Sequence, residues 1–336
     1  MQNSGKKRIK WWILLAAVIL VLGLTACAPK EPEPVSETEL LLNTVVTVTL
    51  YGGGDEELLR QCMDECRRYE KIFSRTDPES ELYALNEAGT MEVSKELLSL
   101  LKTALYYCEL SGGAFDITMG GVSDLYAFSS ERPRVPGEEE LAETLSHVDY
   151  KNIQIDGSTV TLLDPAAVID LGAIAKGYIA DRLAQFLLDN GQASATIDLG
   201  GNVYCVGSKP DGSDFKVGIQ CPFEDRAQII GAVAVSGMSV VTSGVYELSF
   251  EQDGVFYHHI LNSETGLPCA NGLLAVSIVS ERSVDGDALS TLCFALGMED
   301  GMALIDSMDG VYAVFVTEDF VPYPSRGFEE MFQPVG

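Results

Sequence analysis

Helix-periodic runs and short β-rich runs occupy separate blocks of this 336-residue chain, and that order restricts the fold more than any other feature. Residues 41–51 (LLNTVVTVTLY) are β-branched and partly alternating, which predicts a strand ended by Gly52-Gly53-Gly54. Residues 55–73 and the run from Ser94, a plausible N-cap, to Leu110 read as helices. Two short strands around Asp156-Gly157 follow. Beyond Asp170 the spacing of Ile174, Ile179, Leu183, Phe186 and Leu187 predicts a helix that stops at Asn190-Gly191. Residues 195–279 are mostly short β-runs separated by Gly, Pro, Asn and Asp. A helix over 287–296, another near Met302 and a strand around 311–316 complete the pattern. No βαβ period repeats, so the expected class is α+β, a largely antiparallel sheet with packed helices. At 46% hydrophobic and 21% charged residues, the chain has ample material for a large core, which excludes a disulfide mini-protein or a disordered tail.

The first residues have a different character. Lys6, Lys7, Arg8 and Lys10 precede an apolar run over 11–24 that ends in Leu24-Thr25-Ala26-Cys27, the order of an export signal. The cysteine after two small residues resembles a bacterial lipobox, which implies a signal peptide over 1–26 and a lipidated N-terminal Cys27; an uncleaved signal anchor is the alternative. Residues 27–39, rich in Pro and Glu, then read as a solvated tether to a single domain over 40–336. The expected location is extracytoplasmic, lipid-anchored to the membrane. Fifty acidic against 22 basic residues give a net charge of -28, which argues against nucleic acid as a partner. Of eight cysteines, seven remain beyond Cys27, an odd number, so at least one thiol is expected free. Cys62 and Cys66 lie one helical turn apart with no second ligand pair at zinc spacing and read as ordinary helix residues.

Three constellations carry chemistry. In residues 168–178 (VIDLGAIAKGY) a buried strand passes through small residues into a helix. Free N–H groups at that helix start, with Lys176 as counter-charge, suit a phosphate, although an ordinary turn with an incidental lysine fits the pattern too. Asp287 and Thr291, four apart on one helix face, suit a hard cation that takes its remaining ligands from water and phosphate; alternatively Asp287 caps the helix. Of only three histidines, His258 and His259 sit together at a strand end, the natural place for a general base, and alternation turns them to opposite faces. The turns Gly113-Ala114-Phe115-Asp116, Asp198 to Asn202 and Thr242-Ser243-Gly244 stand out beside them.

Taken in order, together with Ser74 to Asn86 and His259-Ile260 through Thr265-Gly266, these motifs resemble the FAD:protein FMN transferase family, ApbE, over essentially the whole exported region. The resemblance implies an ApbE-like, T-fold-like architecture and an enzyme that binds FAD and magnesium. Such an enzyme moves FMN onto a threonine or serine hydroxyl of a partner flavoprotein and releases AMP. It implies that Ala114, Phe115, Asp116, Asp170 and Lys176 serve FAD, with Leu42, Thr76 and Leu261 also at flavin-contacting positions. It further implies that the main-chain oxygen of Ala173 joins Asp287 and Thr291 around Mg2+, with Ser290 near that shell, and that His259 is the base. The implied acceptor carries an Asp/Ser-Gly-Ala/Ser-Thr motif. Leu42-Asn43-Thr44 stands where the family has Met-Gly-Thr, and Asn262-Ser263 where it has Asp-Pro. A magnesium-dependent FAD hydrolase giving FMN and AMP, and a non-catalytic flavin-binding lipoprotein, are the alternative functions.

Overall fold

The structure is a computed structural model that describes residues 32–225 and 228–335. Strands β1 (Val35–Leu41) and β2 (Thr44–Leu50) form a hairpin in register from Val35 opposite Leu50 to Leu41 opposite Thr44. Chain order continues through α1 (Glu56–Phe73), α2 (Glu81–Ala88), β3 (Thr90–Glu92), α3 (Lys95–Leu110), α4 (Gly120–Tyr126), α5 (Glu138–Leu145), β4 (Ile153–Asp156), β5 (Thr159–Leu162) and α6 (Ala175–Asp189). The β-rich half holds β6 (Ala195–Leu199), β7 (Asn202–Val206), β8 (Phe215–Gln220), β9 (Ile229–Val235), β10 (Met238–Gly244), β11 (Ser249–Gln252), β12 (Val255–His258) and β13 (Leu273–Ser280). Then come α7 (Ser283–Leu296), α8 (Met298–Asp306), β14 (Tyr312–Thr317), β15 (Pro322–Pro324) and β16 (Phe332–Pro334).

The main sheet has eight strands in the order β1-β2-β6-β7-β10-β13-β14-β15, and its pairings are antiparallel. The expected α+β class with antiparallel sheet is therefore the one observed. Strand β13 is buried at all eight positions because both its faces are covered. Its Val276 and Ile278 join the helix-side core with Leu289 and Leu292 of α7, while Val279 packs with Val240 of β10 and Val314 of β14 against Phe215, Val233 and Phe332 of the small sheet β16-β9-β8. A strand enclosed in this way loses the alternating pattern of a one-sided sheet.

Several boundaries differ from the sequence reading. The tether expected up to residue 39 ends earlier, because Val35–Leu41 pairs along the whole of β2. Its acidic composition belongs to an edge strand, where charge discourages further pairing, and Glu39 is held by Arg67 of α1. The strand expected over 41–51 is broken at its start: Leu42 and Asn43, with φ of 54° and 56°, are the two turn residues of the β1–β2 hairpin. The helix expected from Asp287 begins one turn sooner, at Ser283. Cys62 and Cys66 are buried on the core face of α1, and burial pushes both thiols up to about 12. No cysteine among the described residues is paired. The signal peptide and Cys27 lie outside the described residues.

Candidate active site

The site is built on the junction of α6 and α7. Helix α6 starts with no side-chain cap of its own, and the N–H of Gly177 in its first turn donates instead to Asp287 Oδ2 at 2.8 Å. Helix α7 also lacks a local cap, and the N–H groups of Ser283 and Val284 donate to the two carboxylate oxygens of Asp181 on α6, at 2.7 and 3.1 Å. Each helix thus caps the other, which settles an orphan-donor problem that a sequence window cannot register. Asp287 is not the cap of its own helix. Its exposure is 4%, and it acts across the helix pair. A side chain at position 177 would place its Cβ 2.3 Å from the Ser283 carbonyl oxygen, so only glycine permits this approach. Burial pushes the Asp181 carboxyl up to about 6 in spite of its two backbone donors.

Because the Gly177 N–H turns to Asp287, the Ala173 carbonyl receives no backbone hydrogen bond among the described residues. The oxygens expected to serve a cation are that carbonyl, the second oxygen of Asp287 and the hydroxyl of half-buried Thr291, one turn beyond Asp287 on the same helix. Among the described residues no three His, Cys, Asp or Glu side chains are grouped so as to hold a metal ion. One carboxylate with a carbonyl and a hydroxyl suits a hard cation that completes its shell with water and phosphate, and does not suit zinc. Ser290, expected near that shell, is fully buried, and its hydroxyl donates to the Asp287 main-chain oxygen. Ser243, on β10, touches both Ser290 and Thr291 at 2.8 and 3.0 Å; the sequence singled it out within the Thr242-Ser243-Gly244 turn but gave it no role of its own.

The turn before α6 is fixed by Asp170, whose Oδ1 accepts from Gly172 N–H and whose Oδ2 accepts from Arg75 Nε, both at 2.7 Å. Both oxygens are thus already engaged within the protein. Arg75 also reaches Asp124 at 2.5 Å. This largely buried guanidinium is a second residue that the sequence reading passed over, although it lies inside the Ser74 to Asn86 motif. Lys176 Nζ is 3.0 Å from the Gly172 carbonyl and stays partly open to solvent. Thr76, beside Arg75, is exposed.

The two histidines separate cleanly. His258 is buried, its Nε2 donating to the Cys269 carbonyl at 3.2 Å while Nδ1 accepts from Ile260 N–H, and its ring meets Phe294 edge-on. It is a structural histidine. His259 Nδ1 lies 3.2 Å from the Leu248 carbonyl; a carbonyl only accepts, so Nδ1 carries the proton and the Nε2 lone pair is left available. The ring keeps some open surface, yet the protein around it is dense enough that burial drives it down to about 4. The Leu248 carbonyl and Asp170 oppose that shift, and His258 and Lys176 add to it. His259, Lys176 and Asp170 are therefore within electrostatic reach of one another. The third histidine, His147, is bound to Asp164 at 2.8 Å and is not part of this group.

Among the remaining expected residues, Asp116 uses its carboxylate to hold Thr118 and the Tyr150 N–H. Phe115 is turned into the core, and Ala114 is half-buried in the same turn. That turn is tied to the histidine loop by Ser263, whose hydroxyl donates to the Gly113 carbonyl at 2.7 Å. Asn262 closes the loop by accepting from the Glu264 and Thr265 N–H groups, doing the work of an Asp with its amide oxygen. Leu261 packs beside Val122, Tyr126 and Leu141 in a small separate cluster. Leu42 donates its N–H to Glu70.

Lys176 and His259 thus lie within electrostatic reach of one another, at the start of a helix tied to Asp287, on an α+β frame built around an antiparallel sheet. The ApbE family profile matches residues 42–315, and the chain belongs to that family. The FAD:protein FMN transferase of Treponema pallidum (strain Nichols) is 34% identical over 337 residues, covering 94% of this chain and 93% of the relative. The crystal structure of the ApbE protein from Thermotoga maritima superimposes with a TM-score of 0.82 at 32% identity, over 89% of this chain and 99% of the other. The flavinyl transferase ApbE of Pseudomonas stutzeri, in its apo form, gives 0.81 at 26% identity over 92% and 100%.

Proposed function

We propose that this protein transfers FMN from FAD to a threonine or serine hydroxyl of an exported or membrane flavoprotein and releases AMP. The observation that carries the reading is the state of His259: its proton is held at Nδ1 by Leu248 and its Nε2 lone pair is available near Lys176 and Asp170. An unactivated hydroxyl is a poor nucleophile, and a positioned base supplies what it lacks. His259 Nε2 takes the hydroxyl proton as the acceptor oxygen forms a bond to the phosphorus of the FMN half. The bond from that phosphorus to the AMP oxygen breaks, AMP leaves, and the proton passes from His259 to solvent. Lys176 supplies positive charge for the pyrophosphate, and Asp170 holds Arg75 and the Gly172 turn in place. Ala173, Asp287 and Thr291 would hold magnesium. When bound, that ion neutralises the charge that builds as the AMP phosphate departs.

The export signal and the lipobox-like Cys27 extend the proposal to a lipid-anchored enzyme outside the cytoplasm, where its acceptors carry an Asp/Ser-Gly-Ala/Ser-Thr segment. AMP release followed by chromatography, with and without such an acceptor and with and without a magnesium chelator, tests the reading. Release that requires both acceptor and free magnesium is expected. AMP and free FMN formed equally without acceptor would make the enzyme a hydrolase instead, and tight FAD binding without either product would leave a carrier.

A further inference from the structure

The hydroxyl groups beside Asp287 admit only one pattern of hydrogen bonds. Ser290 Oγ lies 2.9 Å from the main-chain oxygen of Asp287, which can only accept, so Ser290 donates there. Its single proton is then used, and the 2.8 Å contact between Ser243 Oγ and Ser290 Oγ must be donated by Ser243. Ser243 in turn has no proton left, so the 3.0 Å contact between Ser243 Oγ and Thr291 Oγ1 must be donated by Thr291. The protons run inward in series from Thr291 to Ser243 to Ser290 to the Asp287 carbonyl. At its outer end Thr291 offers oxygen lone pairs and no proton.

We propose that Ser243 is a positioning residue for the metal: by accepting the Thr291 proton it turns the Thr291 oxygen toward a cation held beside Asp287. The proposal rests on the magnesium reading given above. Left to itself, a helical threonine donates to the carbonyl four positions back, which for Thr291 is that of Asp287, and that carbonyl already receives the Ser290 proton. Ser243 is placed for this task by β10, where it lies opposite Val276 in the central sheet. Ser290, fully buried, is the interior end of the relay.

Manganese(II), read by its electron paramagnetic resonance signal in the presence of FAD, is the probe. Ser243→Ala is expected to weaken manganese binding about 10-fold or more, the lower end of what outer-shell partners of metal ligands contribute. Ser243→Thr, which keeps the hydroxyl, restores it. Ser243→Ala combined with Thr291→Val binds no more weakly than Thr291→Val alone, because Ser243 acts only through Thr291. FAD affinity without metal stays unchanged in Ser243→Ala. Should Ser243→Ala fail to fold, Ser243→Cys, whose thiol is a poor partner, carries the same comparison. Wild-type binding in Ser243→Ala, or effects that multiply in the double variant, would overturn the role of Ser243 alone. Failure of the wild type to bind manganese, or unweakened binding by Thr291→Val, would overturn the metal reading and this proposal with it.

Discussion

His258 and His259 are neighbours with opposite duties because two carbonyls, each eleven positions away, claim different nitrogens: Cys269 holds Nε2 of the first and Leu248 holds Nδ1 of the second. His259→Ala should lower the transfer rate by about 10²–10⁴-fold in single-turnover kinetics while the FAD dissociation constant moves by no more than a few-fold. The pH dependence has a definite sign. The base must be neutral, and burial drives His259 down to about 4, so kcat/KM for the acceptor should stay level from pH 7 toward 5 and fall only as the pH drops through about 4. An acid limb near 6.5, the ordinary value for a solvated imidazole, would show that the ring is not enclosed as described. The sequence announced that a histidine pair faced two ways. The local pattern did not tell the two apart, and only the resemblance pointed to His259, since which ring nitrogen is held depends on carbonyls supplied by separate loops.

At the scale of elements, α6 and α7 are joined by exchanged caps, and the exchange accounts for three residues at once: Asp181, Asp287 and Gly177. Gly177→Ala is diagnostic. In a free helix alanine is favoured over glycine by about 1 kcal/mol, whereas here its Cβ would meet the Ser283 carbonyl, so the variant should be destabilised by about 1–3 kcal/mol in chemical denaturation. Asp181→Ala removes the cap of α7 and should cost about 1–2 kcal/mol. Its carboxyl is raised to about 6 in the folded protein, above its unfolded value, so the stability it lends is complete below pH 3.8 and declines as the pH rises through 6. The difference in stability between wild type and Asp181→Ala should therefore shrink over that interval, measured by denaturant titration at several pH values. Periodicity made α6 legible. The start of α7 was misplaced by one turn because its cap comes from another helix, and a search for Ser, Thr, Asp or Asn directly before the apolar run finds Asp287 instead.

For the whole molecule, the separation of helical and β-rich blocks revealed the class, since hairpin-linked strands without a βαβ period pair antiparallel. The strand order was hidden. Strand β2 pairs with β6 across the entire helical block, Val46 opposite Leu199, and no local signal reports such a partner. Gly200, with φ of 69°, sits against Thr44 at this junction, where a Cβ would lie 2.0 Å from the threonine oxygen. The polar edge strand was hidden for a different reason: Pro and Glu gave residues 27–39 the composition of a tether, while the pairing of Val35–Leu41 is set by β2. A chain beginning at Pro34 should fold as the longer one does. Removal through Leu41 should uncover β2 and lower the thermal midpoint by several degrees with aggregation, followed by circular dichroism and light scattering.

A protein bearing an Asp/Ser-Gly-Ala/Ser-Thr segment, incubated with FAD, magnesium and the enzyme lacking residues 1–27, should gain the mass of one FMN unit at that threonine in intact-mass spectrometry, and should gain nothing with Asp287→Ala. An acceptor whose mass is unchanged by the wild-type enzyme while FAD is consumed, or one that is modified equally well by Asp287→Ala, would contradict the account.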